Sequence, residues 1–220
     1  MLKITIEQQL KDSWPQVSLG CIQCRVTVQP SSDKLLEEIE NTSRHLKETL
    51  SMEQIKTREH IAQTRACCTA LGKEVNRYRN SSEAMHRRIL KDRGLYQINN
   101  VVEVNNLISI QTGYSLGTYD VDCLTGTVRW GVTGQGVHYQ GIGKDAVNIE
   151  FLPVLWDDEG YFGNPNSDST RAMITEKTQK ILLCVYAFGE NDDLEQVLLD
   201  TAAALRTYCG AQEVEQKIIQ

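Results

Sequence analysis

The sequence predicts an α+β fold, a β-sandwich-like core flanked by helices. Helical periodicity dominates the first half, strands and tight turns dominate the second, and no regular β-α-β alternation joins them. With 220 residues, 40% of them apolar, the chain is long enough to bury a full core as one unit. No run approaches the ~18 consecutive apolar residues of a membrane span. The N-terminal MLKITIEQQL also lacks the apolar stretch of a signal peptide, so a cytoplasmic protein without a membrane partner is expected.

Residues 3–7 and 19–28 alternate as strands, the second bounded by Trp14-Pro15 and by Pro30. Ser31 or Ser32 caps a helix with Leu35, Leu36 and Ile39 on one stripe and Asp33 and Glu37 near its positive end. Residues 52–71 repeat Ile55, Ile61, Ala62 and Ala66 and stop at Gly72. Ser81 or Ser82 begins another helix, with Ala84, Met85, Ile89 and Leu90 inward and Gly94 at its end. Residues 98–102 read as a short buried strand, and Val104, Leu107, Ile108 and Gln111 share a helical face that ends at Gly113. Strands follow at 127–132, 137–140, 146–155 and 180–188. A last helix at 192–209 buries Leu194, Val197, Leu198, Ala202 and Leu205. The expected organisation is a single domain, 1–220, with an N-terminal strand and helical region at 1–76, a core at 77–190 and a C-terminal helix at 191–220.

Two polar segments stand out against this apolar pattern. Residues 94–120, GLYQINNVVEVNNLISIQTGYSLGTYD, place Asn99, Asn100, Asn105 and Asn106 around a strand-to-helix junction. A buried amide without partners costs about 1–3 kcal/mol, so the cluster is either hydrogen-bonded in a turn or cap or lines a polar pocket. Residues 159–171, EGYFGNPNSDSTR, set Asn164, Asn166, Ser167, Asp168, Ser169 and Arg171 in a loop between apolar strands, a common place for ligand contacts. The two segments are expected to converge on one hollow.

The run Ile98-Asn99-Asn100-Val101-Val102-Glu103-Val104, then Asn106, then Ser115-Leu116-Gly117-Thr118-Tyr119-Asp120 with Leu124-Thr125-Gly126 forms a recognisable series. It continues with Ser167-Asp168-Ser169, Thr175, Thr178 and Ile181-Leu182-Leu183-Cys184-Val185-Tyr186-Ala187-Phe188. In this order the motifs resemble the tRNA-editing domain of the phenylalanyl-tRNA synthetase beta subunit, its third and fourth modules. The resemblance spans residues 77–188, and a chain of this length has no room for an aminoacylation core, so it is similar to a free-standing relative of that domain. It implies a layered core of unusual topology, tRNA or its aminoacylated 3′ end as partner, and hydrolysis in trans of a misattached aminoacyl ester by second-sieve logic.

Carried over on matching positions, the candidate substrate-binding residues are Asn99, Asn106, Gly117, Tyr119, Asn166, Asp168 and Cys184. Asn99 or Asn106, with amides of a glycine turn at Gly117, would stabilise an oxyanion. No general base is evident, and the catalytic residues stay unassigned. Two departures bear on the chemistry: the family usually carries His where this chain has Gly117, and Glu where it has Cys184. Their loss removes a ligand contact and the group understood to recognise the tyrosine hydroxyl. The alternative expectation is therefore a non-catalytic module that holds tRNA, a free amino acid or an amino-acid-like small molecule.

Residues 44–93 carry twelve Lys or Arg against six Asp or Glu, whereas the remainder holds eleven against twenty-three, for a net charge of −6. Such polarity steers an anionic polymer to one face, and Arg77, Arg79, Arg87 and Arg88 are the candidate nucleic-acid contacts. They follow helical spacing, and the segment reads as lacking aromatic residues placed to stack bases. The seven cysteines are irregularly spaced. Cys21 and Cys24 lie three apart on a strand and face opposite sides, so no metal and no cofactor are expected. Cys67 and Cys68 pack within a helix. The glycine-rich stretch 131–143 reads as hairpin turns, and His138, Cys184 and Asp168 are the ingredients of a weak thiol constellation.

Overall fold

The computed structural model describes residues 1–190 and 192–220. In chain order the elements are β1 (Ile4–Ile6), α1 (Gln8–Ser13), β2 (Ser18–Arg25), α2 (Asp33–Thr49), α3 (Glu59–Ala70), α4 (Ser81–Leu90), α5 (Asn100–Thr112) and β3 (Ser115–Asp120). They continue with β4 (Val128–Val132), β5 (His138–Gln140), β6 (Ala146–Asn148), β7 (Pro153–Trp156), β8 (Tyr161–Gly163), β9 (Lys180–Ala187), α6 (Leu194–Cys209) and β10 (Gln212–Ile219). One sheet has the order β1-β4-β7-β8, the second β10-β2-β9-β3, and β5 and β6 form a small hairpin.

The strand β9 explains the layering. Side chains alternate across a strand, yet KILLCVYA is apolar at both parities. Ile181, Leu183, Val185 and Ala187 join Val104, Leu107, Leu198 and Leu205 in a core beneath the helices. Leu182, Cys184 and Tyr186 face the other way, into a core with Val128, Trp130, Leu155 and Phe162 of the first sheet. The molecule is thus a stack of helices, sheet and sheet, an α+β arrangement. The same parity sends Cys21 into the sheet-to-sheet core and Cys24 into the helix-side core, as their spacing predicts.

Several boundaries differ from expectation for identifiable reasons. Residues 98–102 are not a strand: Ile98 is 63% exposed, and the Asn99 side chain accepts from Val102 N at 3.0 Å, capping α5. A satisfied cap outweighs the β preference of two valines. The helix stops where predicted, at Gly113 with φ 89°. The stretch 52–71 splits at Arg58, whose extended ψ of 134° separates a short 3-10 turn from α3. The stretch 146–155 breaks into β6 and β7 around Phe151, at φ 56°.

Residues 191–220 hold more than a helix. The chain reverses at Gly210 (φ 60°) and returns as β10, antiparallel to β2. Its sequence QEVEQKII is mostly polar because it is an edge strand, which charged side chains protect from further pairing. Nor are residues 1–76 set apart from the core. β1 pairs in parallel with β4, and β2 lies between β10 and β9 at the centre of the second sheet.

Candidate functional site

Contrary to expectation, Asn99, Asn100 and Asn106 lie across the β10-β2-β9-β3 sheet from Asp168, and the first segment meets the 164–168 loop through Tyr119 of β3 instead. α5 enters β3 through the tight Gly113 turn, which folds the helix back onto one face only. Asn99, Asn100 and Asn106 accordingly sit in the helix layer. Gly117 lies inside β3 opposite Cys184, not in a turn, and Gly117, Tyr119 and Cys184 share the parity that faces the first sheet.

There the structure brings Tyr119, Asp168 and Cys184 together around a filled space. Tyr119 is fully buried; its hydroxyl donates to Asp168 Oδ1 at 2.8 Å and lies 2.5 Å from Tyr186 Oη. A Cβ at Gly117 would fall 1.9 Å from Tyr119 Oη, and one at Gly163 would fall 2.1 Å from it. The tyrosine thus occupies the volume that side chains at both glycines would otherwise take. Burial pushes the Asp168 carboxyl up to about 7, against the hydrogen bonds from Tyr119 and Asn164 N that lower it. Burial likewise drives the Tyr119 phenol and the Cys184 thiol well above their ordinary ranges, so neither supplies an anion. His138 is exposed on β5, with Nδ1 on Gly136 O at 2.8 Å, and is no partner for the buried thiol.

The asparagines divide by role. Asn100, 1% exposed, accepts from Gln29 N at 3.0 Å and donates to Thr27 O and Tyr208 O at 2.9 Å each, tying α5 to the ends of β2 and α6. Asn105 accepts from Thr118 Oγ1 at 3.0 Å. Asn106 instead lines a hollow of about 150 Å³ between α2, α5 and the segment 94–97. Asn166 donates to Tyr78 O at 2.8 Å, and Ser81 N donates to Pro165 O at 2.8 Å, so this loop docks on the start of α4.

Arg77, Arg79, Arg87 and Arg88 converge on α4. With Lys91 and Arg93 they line an open hollow of about 310 Å³ whose remaining lining residue is Ala84. Beneath it lies Glu83, with a wholly buried carboxylate. Arg65 Nη1 reaches Glu83 Oε2 at 2.7 Å, and Arg87 Nε reaches Oε1 at 2.9 Å. Arg79 Nε stands 3.6 Å from the same oxygen. Asn80 caps the helix by accepting from Glu83 N at 2.8 Å. One buried anion therefore holds part of the cationic wall in place, while Arg77, Lys91 and Arg93 form no ion pair among the described residues.

Aromatic residues, expected to be lacking, flank this wall. Tyr78 lies under Lys73 Nζ, 4.2 Å from its ring centroid, and Arg88 Cζ stands 4.1 Å from the centroid of Tyr96. Glu83, Lys91, Arg93 and Tyr96 were not singled out from sequence. The four-residue steps 79-83-87 and 84-88, continued by Lys91, were the available signal, because they stack on one helical face. Among the described residues no group of three His, Cys, Asp or Glu is placed to hold a metal ion, and no helix is long and apolar enough to cross a membrane.

The helix-sheet-sheet stack defines an α+β module, with the sequence motifs on α5, β3, β9 and the 164–168 loop. A family model described as "B3/4 domain" matches residues 63–217, and the chain belongs to that family, related to the third and fourth modules of the phenylalanyl-tRNA synthetase beta subunit. Among solved structures, the chain is similar to an N-terminal fragment of the phenylalanyl-tRNA synthetase beta subunit from Pyrococcus horikoshii, at 13% identity and a TM-score of 0.48. That alignment covers 99% of this chain and 50% of the fragment, so the chain spans half the fragment's length. No curated protein matches the sequence. The family match begins well before residue 77 and ends within β10, leaving β1, α1, β2 and α2 outside it, although β1 and β2 belong to the two sheets.

Proposed function

We propose that this chain is a tRNA-binding module that holds the nucleic-acid backbone at the α4 hollow without hydrolysing an aminoacyl ester. The observation that carries the reading is the gathering of Arg77, Arg79, Arg87, Arg88, Lys91 and Arg93 around one opening with no acidic side chain in its lining. Glu83 pairs with Arg79 and Arg87 from below, which leaves Arg77, Arg88, Lys91 and Arg93 without a carboxylate partner among the described residues; phosphates relieve their mutual repulsion and release counterions on binding. The relation to a synthetase module makes tRNA the nucleic acid of choice. The ester-hydrolysis reading loses support at Gly117, whose turn amides were expected to stabilise an oxyanion: it lies within a strand, and Tyr119 fills the space before it.

Fluorescence anisotropy with labelled tRNA tests the proposal. An Arg77→Glu, Arg93→Glu double variant should weaken binding at least about tenfold, since it removes two phosphate contacts and adds repulsion. Equal affinity of variant and wild type, or no binding by the wild type, overturns it. A panel of mischarged tRNAs should lose its amino acid at the rate seen in buffer alone. Accelerated deacylation that Asn106→Ala abolishes would restore the hydrolytic reading.

A further inference from the structure

We propose that Tyr96, backed by Arg88, is a stacking platform for one unpaired RNA base, with neighbouring phosphates in the cationic hollow and the base edge turned toward Asn106. The inference rests on the RNA-binding reading and narrows it to single-stranded RNA. Tyr96 is 68% exposed, more than any other large hydrophobic side chain among the described residues. That exposure leaves its ring surface open to a partner.

Arg88 fixes the ring. Its guanidinium lies 4.1 Å from the ring centroid and donates to Tyr96 Oη at 3.2 Å, while Nε donates to Gly94 O at 3.1 Å. One ring face is thereby covered by a cation, and the exposure of the residue leaves surface for a planar partner. A base stacked there completes a guanidinium, phenol and base sandwich, the arrangement by which aromatic and arginine planes hold unpaired bases.

Tyr96 also stands between two hollows. Arg88 belongs to the lining of the cationic one. Tyr96 itself lines the hollow of about 150 Å³ together with Leu95, Gln97, Ile89 and Asn106. That volume lies below the ~300–1,000 Å³ of drug-sized ligand sites and suits one ring system. Asn106 is half-buried there; among the described residues its Oδ1 accepts a long 3.5 Å contact from Asn105, and its Nδ2 has no acceptor. Its amide, with that of Gln97, can meet the polar edge of a base, and base edges and faces are accessible together only where the strand is unpaired. A paired base has both faces covered by its neighbours and cannot stack on Tyr96.

The test uses the full chain, a short single-stranded RNA carrying one 2-aminopurine, and a duplex RNA of equal length. Tyr96→Ala should weaken single-strand binding about tenfold, the scale of stacking on one aromatic ring, and leave duplex binding unchanged. Tyr96→Phe should keep wild-type affinity. Quenching of 2-aminopurine at saturating protein should vanish in Tyr96→Ala and persist in Arg93→Glu. Unchanged single-strand affinity in Tyr96→Ala, or an equal loss on the duplex, overturns the platform while leaving the RNA-binding reading intact. Failure of the wild type to bind either RNA overturns both.

Discussion

At the scale of single residues, Gly117 and Tyr119 form one unit. Because a Cβ at position 117 would fall 1.9 Å from Tyr119 Oη and 2.6 Å from Cζ, Gly117→Ala overpacks the sheet interface and should cost about 1–3 kcal/mol. In a Tyr119→Ala background the clash is gone, and the same substitution should cost nothing or stabilise. Urea unfolding of the four proteins of this cycle measures the coupling, and additive effects would contradict the packing. Two titrating residues also work against each other. Burial pushes His86 down from 6.5 to about 4, whereas burial pushes Asp168 up from 3.8 to about 7. Between these limits the unfolded chain takes the extra proton at His86, and the folded chain takes it at Asp168. Acidification therefore destabilises through His86 and stabilises through Asp168, and the slopes largely cancel. In Asp168→Asn, where the amide oxygen still accepts from Tyr119, stability should fall by up to about 3 kcal/mol between neutral pH and pH about 4. Wild type should change much less, and parallel pH curves for the two would refute the assignment.

At the scale of elements, α5 carries two asparagines with unequal duties. Asn99→Ala removes one cap bond and should cost about 1 kcal/mol. Asn100→Ala removes the partner of the Gln29 amide and of two carbonyls, from Thr27 and Tyr208, in a part-buried setting, and should cost more, about 2–3 kcal/mol. Thermal melts that rank the two the other way would contradict this geometry. These residues also mark what was legible in the sequence. The asparagines announced a polar requirement, Gly113 a helix stop, and residues 180–188 a strand, each through local chemistry. β10 was hidden because an edge strand needs no apolar alternation. The separation of Asn106 from Asp168 was hidden because which face of a sheet a helix covers depends on its connection and not on its own period. The cationic hollow was half legible: the arginines were counted, but Glu83, the anion that gathers them, looked like any other surface carboxylate on a helix.

At the scale of the whole molecule, charge is sorted between the α4 region and an acidic remainder, and RNA binding should report it. With about four phosphates engaged, the slope of log affinity against log salt should be near −3 for a single strand. A slope near zero in anisotropy titrations would separate binding from the hollow. The layering has a mechanical consequence. β9 is the wall common to both hydrophobic cores, with Ile181, Leu183 and Val185 on one side and Leu182, Cys184 and Tyr186 on the other. Neither core can open without baring that strand to the other. Amide protons at residues 182–185 should therefore exchange with deuterated water only through complete unfolding, and the rate of that exchange becomes a direct reading of global stability.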